Sequence, residues 1–151
     1  MSYLVPIEIK TWKYTKWLVA TSLGFMIPAI YGYINQVYFL SGVLGITSIV
    51  SANHWRFAIT GSIRHKSDLI VAKIAYGIFF INGHMCIRYI PYMITGYIGI
   101  ISTGYCYYMS GKLSSMNDPN WYKYHIAFHL WLIYGQWIII DSNISRNITK
   151  N

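Results

Sequence analysis

Residues 16–55 read KWLVATSLGFMIPAIYGYINQVYFLSGVLGITSIVSANHW, and after Lys16 no Asp, Glu, Lys or Arg occurs until Arg56. Two apolar runs, 16–34 and 36–55, meet at Asn35. Each has roughly the 20 residues that a helix rising 1.5 Å per residue needs to cross about 30 Å of hydrocarbon. Three further runs have the same length: 68–87 (DLIVAKIAYGIFFINGHMCI), 90–109 (IPYMITGYIGIISTGYCYYM) and 121–140 (WYKYHIAFHLWLIYGQWIII). The runs are continuous rather than alternating, which argues for helices and against a membrane β-barrel. The expectation is an all-α integral membrane bundle of five transmembrane helices forming one domain over 1–151. Pro28 is expected to kink the first helix, with Gly24 and Gly32 allowing close helix approach.

Composition agrees. Of 151 residues 55% are hydrophobic, and only 11% are charged, under half the soluble norm of about 25%. That excludes a disordered chain and disfavours a water-soluble enzyme. Cys86 and Cys106 both lie inside apolar runs and suggest neither a disulfide framework nor a zinc knuckle. The first 16 residues hold no apolar stretch followed by a small-residue cleavage site, so the first helix is expected to be retained as an anchor.

Five spans put 1–15, 56–67 and 110–120 on one side of the membrane, side A. The tight turns and the tail 141–151 fall on side B. Lys10, Lys13, Lys16, Arg56, Arg64, Lys66, Lys112 and Lys123 belong to side A, against Arg88, Arg146 and Lys150 on side B. The positive-inside rule then places the N-terminus in the cytosol and the C-terminus outside or in a lumen, the endoplasmic reticulum being favoured. Topology thus accounts for the net charge of +8 without a nucleic-acid partner. Trp12, Trp17, Trp55, Trp121 and Tyr124 sit at span ends on side A, as interfacial aromatic belts do. The tail carries two glycosylation sequons, Asn143 with Ser145 and Asn147 with Thr149.

Polar residues that interrupt apolar spans are the functional candidates, because an ionisable group there is costly and needs a partner. His54 closes the second run, Asp68 opens the third, and His125 and His129 begin the fifth. All four fall on side A. Positions 125 and 129 share a helix face, so two imidazoles can approach one point, and His54 can supply a third. Three imidazoles plus water make an open zinc site. Asp68 then orients or deprotonates the water, and Ser51, one turn before His54, hydrogen-bonds the developing oxyanion.

The order Ser51, His54, Asp68 and His125-x-x-x-His129 resembles the CREST membrane hydrolases, which include alkaline ceramidases and adiponectin-receptor-like proteins. The resemblance covers about 48–75 and 121–135. It implies a zinc-dependent hydrolase acting on a lipid amide or ester that enters sideways between helices. Two departures stand out: that family usually has seven helices, and its spacings from Ser to His and from His to Asp differ by a few residues. The stretch SANHWRFAITGSIRHKSDL is also similar to small multi-spanning proteins encoded by large DNA viruses. The competing reading is a non-enzymatic viral or organellar membrane protein with structural histidines, Asp68 capping a helix N-terminus and His65 solvated in a loop. A haem role fits less well, since axial histidines approach from opposing helices whereas His125 and His129 share one face.

Overall fold

The structure is a computed structural model that describes residues 10–148. Those residues are all-α: α1 (Trp12–Gly24), α2 (Met26–Ile34), α3 (Tyr38–Arg56), α4 (Ile63–Cys86), α5 (Ile90–Ser115) and α6 (Trp121–Ile148). The helices α1 and α2 are two halves of one apolar rod, broken only at Phe25. Pro28 explains the break, because it has no N–H to give the Gly24 carbonyl and its ring crowds that oxygen.

The rod turns back at Asn35 and Gln36. Gln36 is left-handed with φ of 65°. Its N–H meets the Tyr33 carbonyl at 3.1 Å, and the next N–H, of Val37, meets Gly32 at 2.8 Å. These two bonds define a Schellman stop, with glutamine where glycine is usual. Asn117 repeats the device after α5, with φ of 55° and bonds from Asn117 to Ser114 and from Asp118 to Leu113.

Several expected boundaries move; α1, for one, starts at Trp12 rather than at 16. Ser62 caps α4, its hydroxyl accepting from the His65 N–H, so the helix starts five residues before the expected 68. Asp68 is therefore inside α4 and caps nothing. The apolar count misses that first turn because Arg64, His65 and Lys66 make it polar. At its end α5 runs on to Ser115, and α6 continues through Ile148, so residues 141–148 are helix rather than a loose tail. Asn143 lies within that helix, its Nδ2 donating to the Ile139 carbonyl at 2.8 Å while its Oδ1 accepts from the Cys86 thiol at 3.3 Å. Thr149 and Lys150, like residues 1–9, lie outside the described residues.

The packing buries hydroxyls and imidazoles beside its apolar core and leaves many large apolar side chains outside. Ser41, Thr47, Ser48, Ser51 and His54 of α3 are buried, while Phe39, Ile46 and Ile49 of the same helix are exposed. At the contact between α1 and α3, Ser48 Oγ donates to the Ser22 carbonyl at 2.9 Å and Ser22 Oγ to Ser51 Oγ at 3.1 Å. Small hydroxyl residues joining close helices are the usual means of association in lipid. Gly24 and Gly32 have the expected role: a Cβ on Gly24 would come within 2.9 Å of Ile133, and one on Gly32 within 2.6 Å of Ser41 Oγ. The main core is Phe25, Ala29, Leu40, Leu44, Phe79 and Ile140.

The start of α1, the 57–62 loop and the turn between α5 and α6 meet at one end. Lys10 N–H bonds the Ala58 carbonyl at 3.0 Å, Lys10 Nζ donates to Ser114 Oγ at 2.7 Å, and Trp55 stacks on Trp121 with centroids 6.0 Å apart. The other end is tied by Asp141, which accepts from Tyr31 at 3.0 Å and from Tyr92 at 3.4 Å. Among the described residues, two helical stretches, Trp12–Ile34 and Ile63–Cys86, are long and apolar enough to cross a membrane.

Candidate functional site

At the end formed by the start of α1 lies a chamber of about 700 Å³, walled by the end of α3, the start of α4, the end of α5 and the start of α6. That is within the size range of small-molecule sites. It exists because α4 packs on α3 and α6, and α5 on α6, with little contact between α4 and α5.

Three of the five expected site residues line this chamber: His54, Asp68 and His125. Ser51 is buried and stands behind the wall. Ser51 Oγ accepts from Ser22 Oγ at 3.1 Å. His129 lies deeper. Its Nδ1 is 2.8 Å from Thr21 Oγ1 of α1, and its ring is edge-on to Phe25 at 5.4 Å. His125 faces another neighbour, with Nδ1 3.1 Å from Ser110 Oγ of α5. The two rings are 4.9 Å apart and nearly perpendicular, at 74°.

The indole of Trp55 touches both His54, at 4.6 Å, and His125, at 4.7 Å. Among the described residues no group of three or more His, Cys, Asp or Glu side chains stands close enough together to hold a metal ion. The helix register does bring His125 and His129 to one face, as expected. What it does not control is which neighbour each ring finds, and here a hydroxyl from a different helix takes each Nδ1.

Several chamber residues were not singled out by sequence. His65 is in the first turn of α4 rather than in a solvated loop; its ring is 5.0 Å from His54 and its Nδ1 accepts from the Gly61 N–H at 3.1 Å. The cue was Ser62, a capping residue that moves the helix start forward. Lys10, Lys112 and Trp55 also line the chamber, and nothing local in the sequence connects positions so far apart.

Two ring nitrogens of the chamber wall are orphaned. His54 Nδ1 and Trp55 Nε1 are buried without a hydrogen-bond partner. A buried polar group left unpaired costs about 1–3 kcal/mol. The chain matches no family model, no curated protein and no solved structure.

Proposed function

We propose that the chain is a five-span integral membrane protein that receives the polar end of a bilayer lipid in its side-A chamber, at the cytosolic edge. The observation that carries this reading is the inside-out distribution of polarity. Hydroxyls and imidazoles are buried between helices, while large apolar side chains face outward on every helix, Phe39 at 68% and Ile101 at 73% exposure among them. In water such a surface would aggregate; in lipid it is matched. Only two stretches pass a hydropathy test because α3, α5 and α6 carry polar residues such as Ser48, Ser51, Thr103, Ser110, His129 and Gln136, all buried in the bundle. A window average counts these residues as if they met lipid. The chamber then opens at headgroup depth, beside the basic loops expected to face the cytosol.

The test is fractionation and labelling of the full chain expressed in cells. Alkaline carbonate is expected to leave it in the membrane pellet. Single cysteines at Thr60 and Asn120 should react from the cytosolic side and one at Tyr89 from the opposite side. Extraction by carbonate, or labelling of Thr60 and Tyr89 from one side, would overturn the five-span reading.

A second reading, zinc-dependent hydrolysis of a lipid amide or ester, is favoured by one observation. The Nδ1 atoms of His125 and His129 are held by hydroxyls, the outer support that metal-binding histidines commonly have on the nitrogen away from the metal. A bound zinc would make a hydroxide available near neutral pH. For this, the His54 and His125 rings would have to turn past Trp55. Metal content of the detergent-purified protein tests it: about one zinc per chain, lost in His54→Ala and in His125→Ala, is the expected result. Absence of zinc from the wild type after purification in zinc-supplemented buffer would leave the non-enzymatic lipid-binding protein.

A further inference from the structure

We infer that the side-A rim around Phe57 and Ile63 is a docking surface for an anionic bilayer leaflet: these two apolar side chains enter the headgroup layer, and Arg56 and Arg64 meet its negative charge. This rests on the membrane reading above and names the class of lipid at the cytosolic edge.

The loop after α3 buries its small residue and exposes its large one. Ala58 is buried in a cluster with Leu18, Trp55 and Trp121, and its carbonyl accepts from the Lys10 N–H at 3.0 Å. Phe57, the residue before it, faces outward and is 52% exposed. Ile63, which opens α4, is 83% exposed, more than any other large apolar side chain among the described residues. It also belongs to a line. At 100° per residue, Ile70, Ile74 and Ile81 lie within about 20° of Ile63 around the helix, and all three are exposed. The 24 residues of α4 span about 36 Å, more than the hydrocarbon core, so the lipid-facing line continues into the headgroup layer at Ile63. An apolar side chain at that depth is matched by the interface and not by water.

The cations select the sign of that interface. Arg56 and Arg64 approach one ring from the two ends of the loop, their guanidinium carbons 5.3 and 4.9 Å from the Phe57 centroid. Among the described residues neither guanidinium has a hydrogen-bond or carboxylate partner, although each carries five N–H donors. Residues 56–67 hold these arginines and Lys66 and no Asp or Glu; the next acid, Asp68, lines the chamber instead. The start of α1 repeats the pattern at the same end, with Lys13 over Tyr14 and Lys16 over Trp17, beside exposed Trp12. Apolar side chains ringed by cations bind an anionic membrane through burial and charge together. Guanidinium forks suit the phosphate and carboxylate oxygens of such headgroups.

The experiment is a nitroxide depth measurement on the full chain, carrying Cys86→Ser and Cys106→Ser, in vesicles of phosphatidylcholine alone or with about 30 mol% phosphatidylserine. Single labels go on Ile63→Cys, Ile74→Cys and Asn120→Cys. With phosphatidylserine present, the Ile63 label is expected to collide more with oxygen than with a neutral nickel chelate in the water, as the Ile74 label does and the Asn120 label does not. Without phosphatidylserine, or with Arg56→Gln and Arg64→Gln together, it should shift towards the Asn120 value. An Ile63 label as wet as that of Asn120 in the phosphatidylserine vesicles, or equally deep in both compositions, would overturn the inference. Should the double serine background fail to fold, native mass spectrometry of the wild type and of the double glutamine variant serves instead. The wild type should retain phosphatidylserine over phosphatidylcholine, and the variant should lose at least about fivefold of that preference, the usual effect of a basic residue at an anionic surface. No preference in the wild type, or one unchanged in the variant, overturns the inference equally. A wet Ile63 label with Ile74 in hydrocarbon defeats only this inference, whereas an Ile74 label in water defeats the membrane reading beneath it.

Discussion

Gln36 holds a left-handed backbone, φ 65°, in which a side chain is strained and glycine is not. Gln36→Gly should therefore raise stability by about 0.5–1 kcal/mol, read as a higher midpoint of thermal unfolding in detergent; an unchanged or lower midpoint would show that the glutamine side chain compensates. Gln136 presents the reverse case. It is 95% buried, and its Oε1 has no partner. Replacing an unsatisfied buried amide with an apolar group of similar size relieves a desolvation cost, so Gln136→Leu should stabilise the fold by about 1 kcal/mol. A loss of that size instead would mean the amide has a partner. At this scale the sequence was legible for His54 and Asp68, which line one chamber, and illegible for Trp55, whose ring contacts with His125 and Trp121 lie far along the chain.

Glycines separate helices that must touch from those that need not. Gly32 sits where α2, α3 and α6 converge, its missing Cβ being 2.6 Å from Ser41 Oγ and 3.2 Å from Ile140. Ser41 cannot give way freely, since its hydroxyl donates to the Val37 carbonyl at 2.8 Å. Gly32→Ala should thus cost about 1–3 kcal/mol. Gly104→Ala, in the interior of α5 with nothing within 4 Å, should gain up to about 1 kcal/mol from helix propensity alone. Parallel melts of the two variants check the pair, and equal shifts would contradict the packing. The helices themselves were readable from run length, but their ends were not. Polar first and last turns, such as 63–67 and 141–148, carry no apolar signal and become helical through a cap at Ser62 and through contacts such as that of Asn143 with Cys86.

For the molecule as a whole, the length of α6 has a consequence for the tail. At 28 residues and 1.5 Å each it spans about 42 Å, more than the hydrocarbon core. Asn143 is held against α4 by its bond with Cys86, where a glycan has no room. With the tail in a lumen, expression in a eukaryotic cell should give no glycosidase-sensitive shift dependent on Asn143. A sequon engineered on a flexible extension after residue 151 should be modified, and one placed in the 57–62 loop should not. Modification in the 57–62 loop would invert the topology and move the chamber to the other face.

Residues 16–55, with no charge between Lys16 and Arg56, determined by themselves that two long apolar helices are joined at Asn35, because run length and turn chemistry are local properties. The periodicity at 125 and 129 likewise placed two imidazoles on one face of α6. Only the tertiary structure decided where those imidazoles turn: Thr21 from α1 takes one, Ser110 from α5 takes the other, and Trp55 from α3 lies between His54 and His125. A helix face defines a direction, but a ligand set needs several directions to converge. Convergence depends on how α1, α3, α5 and α6 pack, and that arises from contacts such as Ser22 with Ser51 and Gly32 with Ser41, between residues that no sequence period connects.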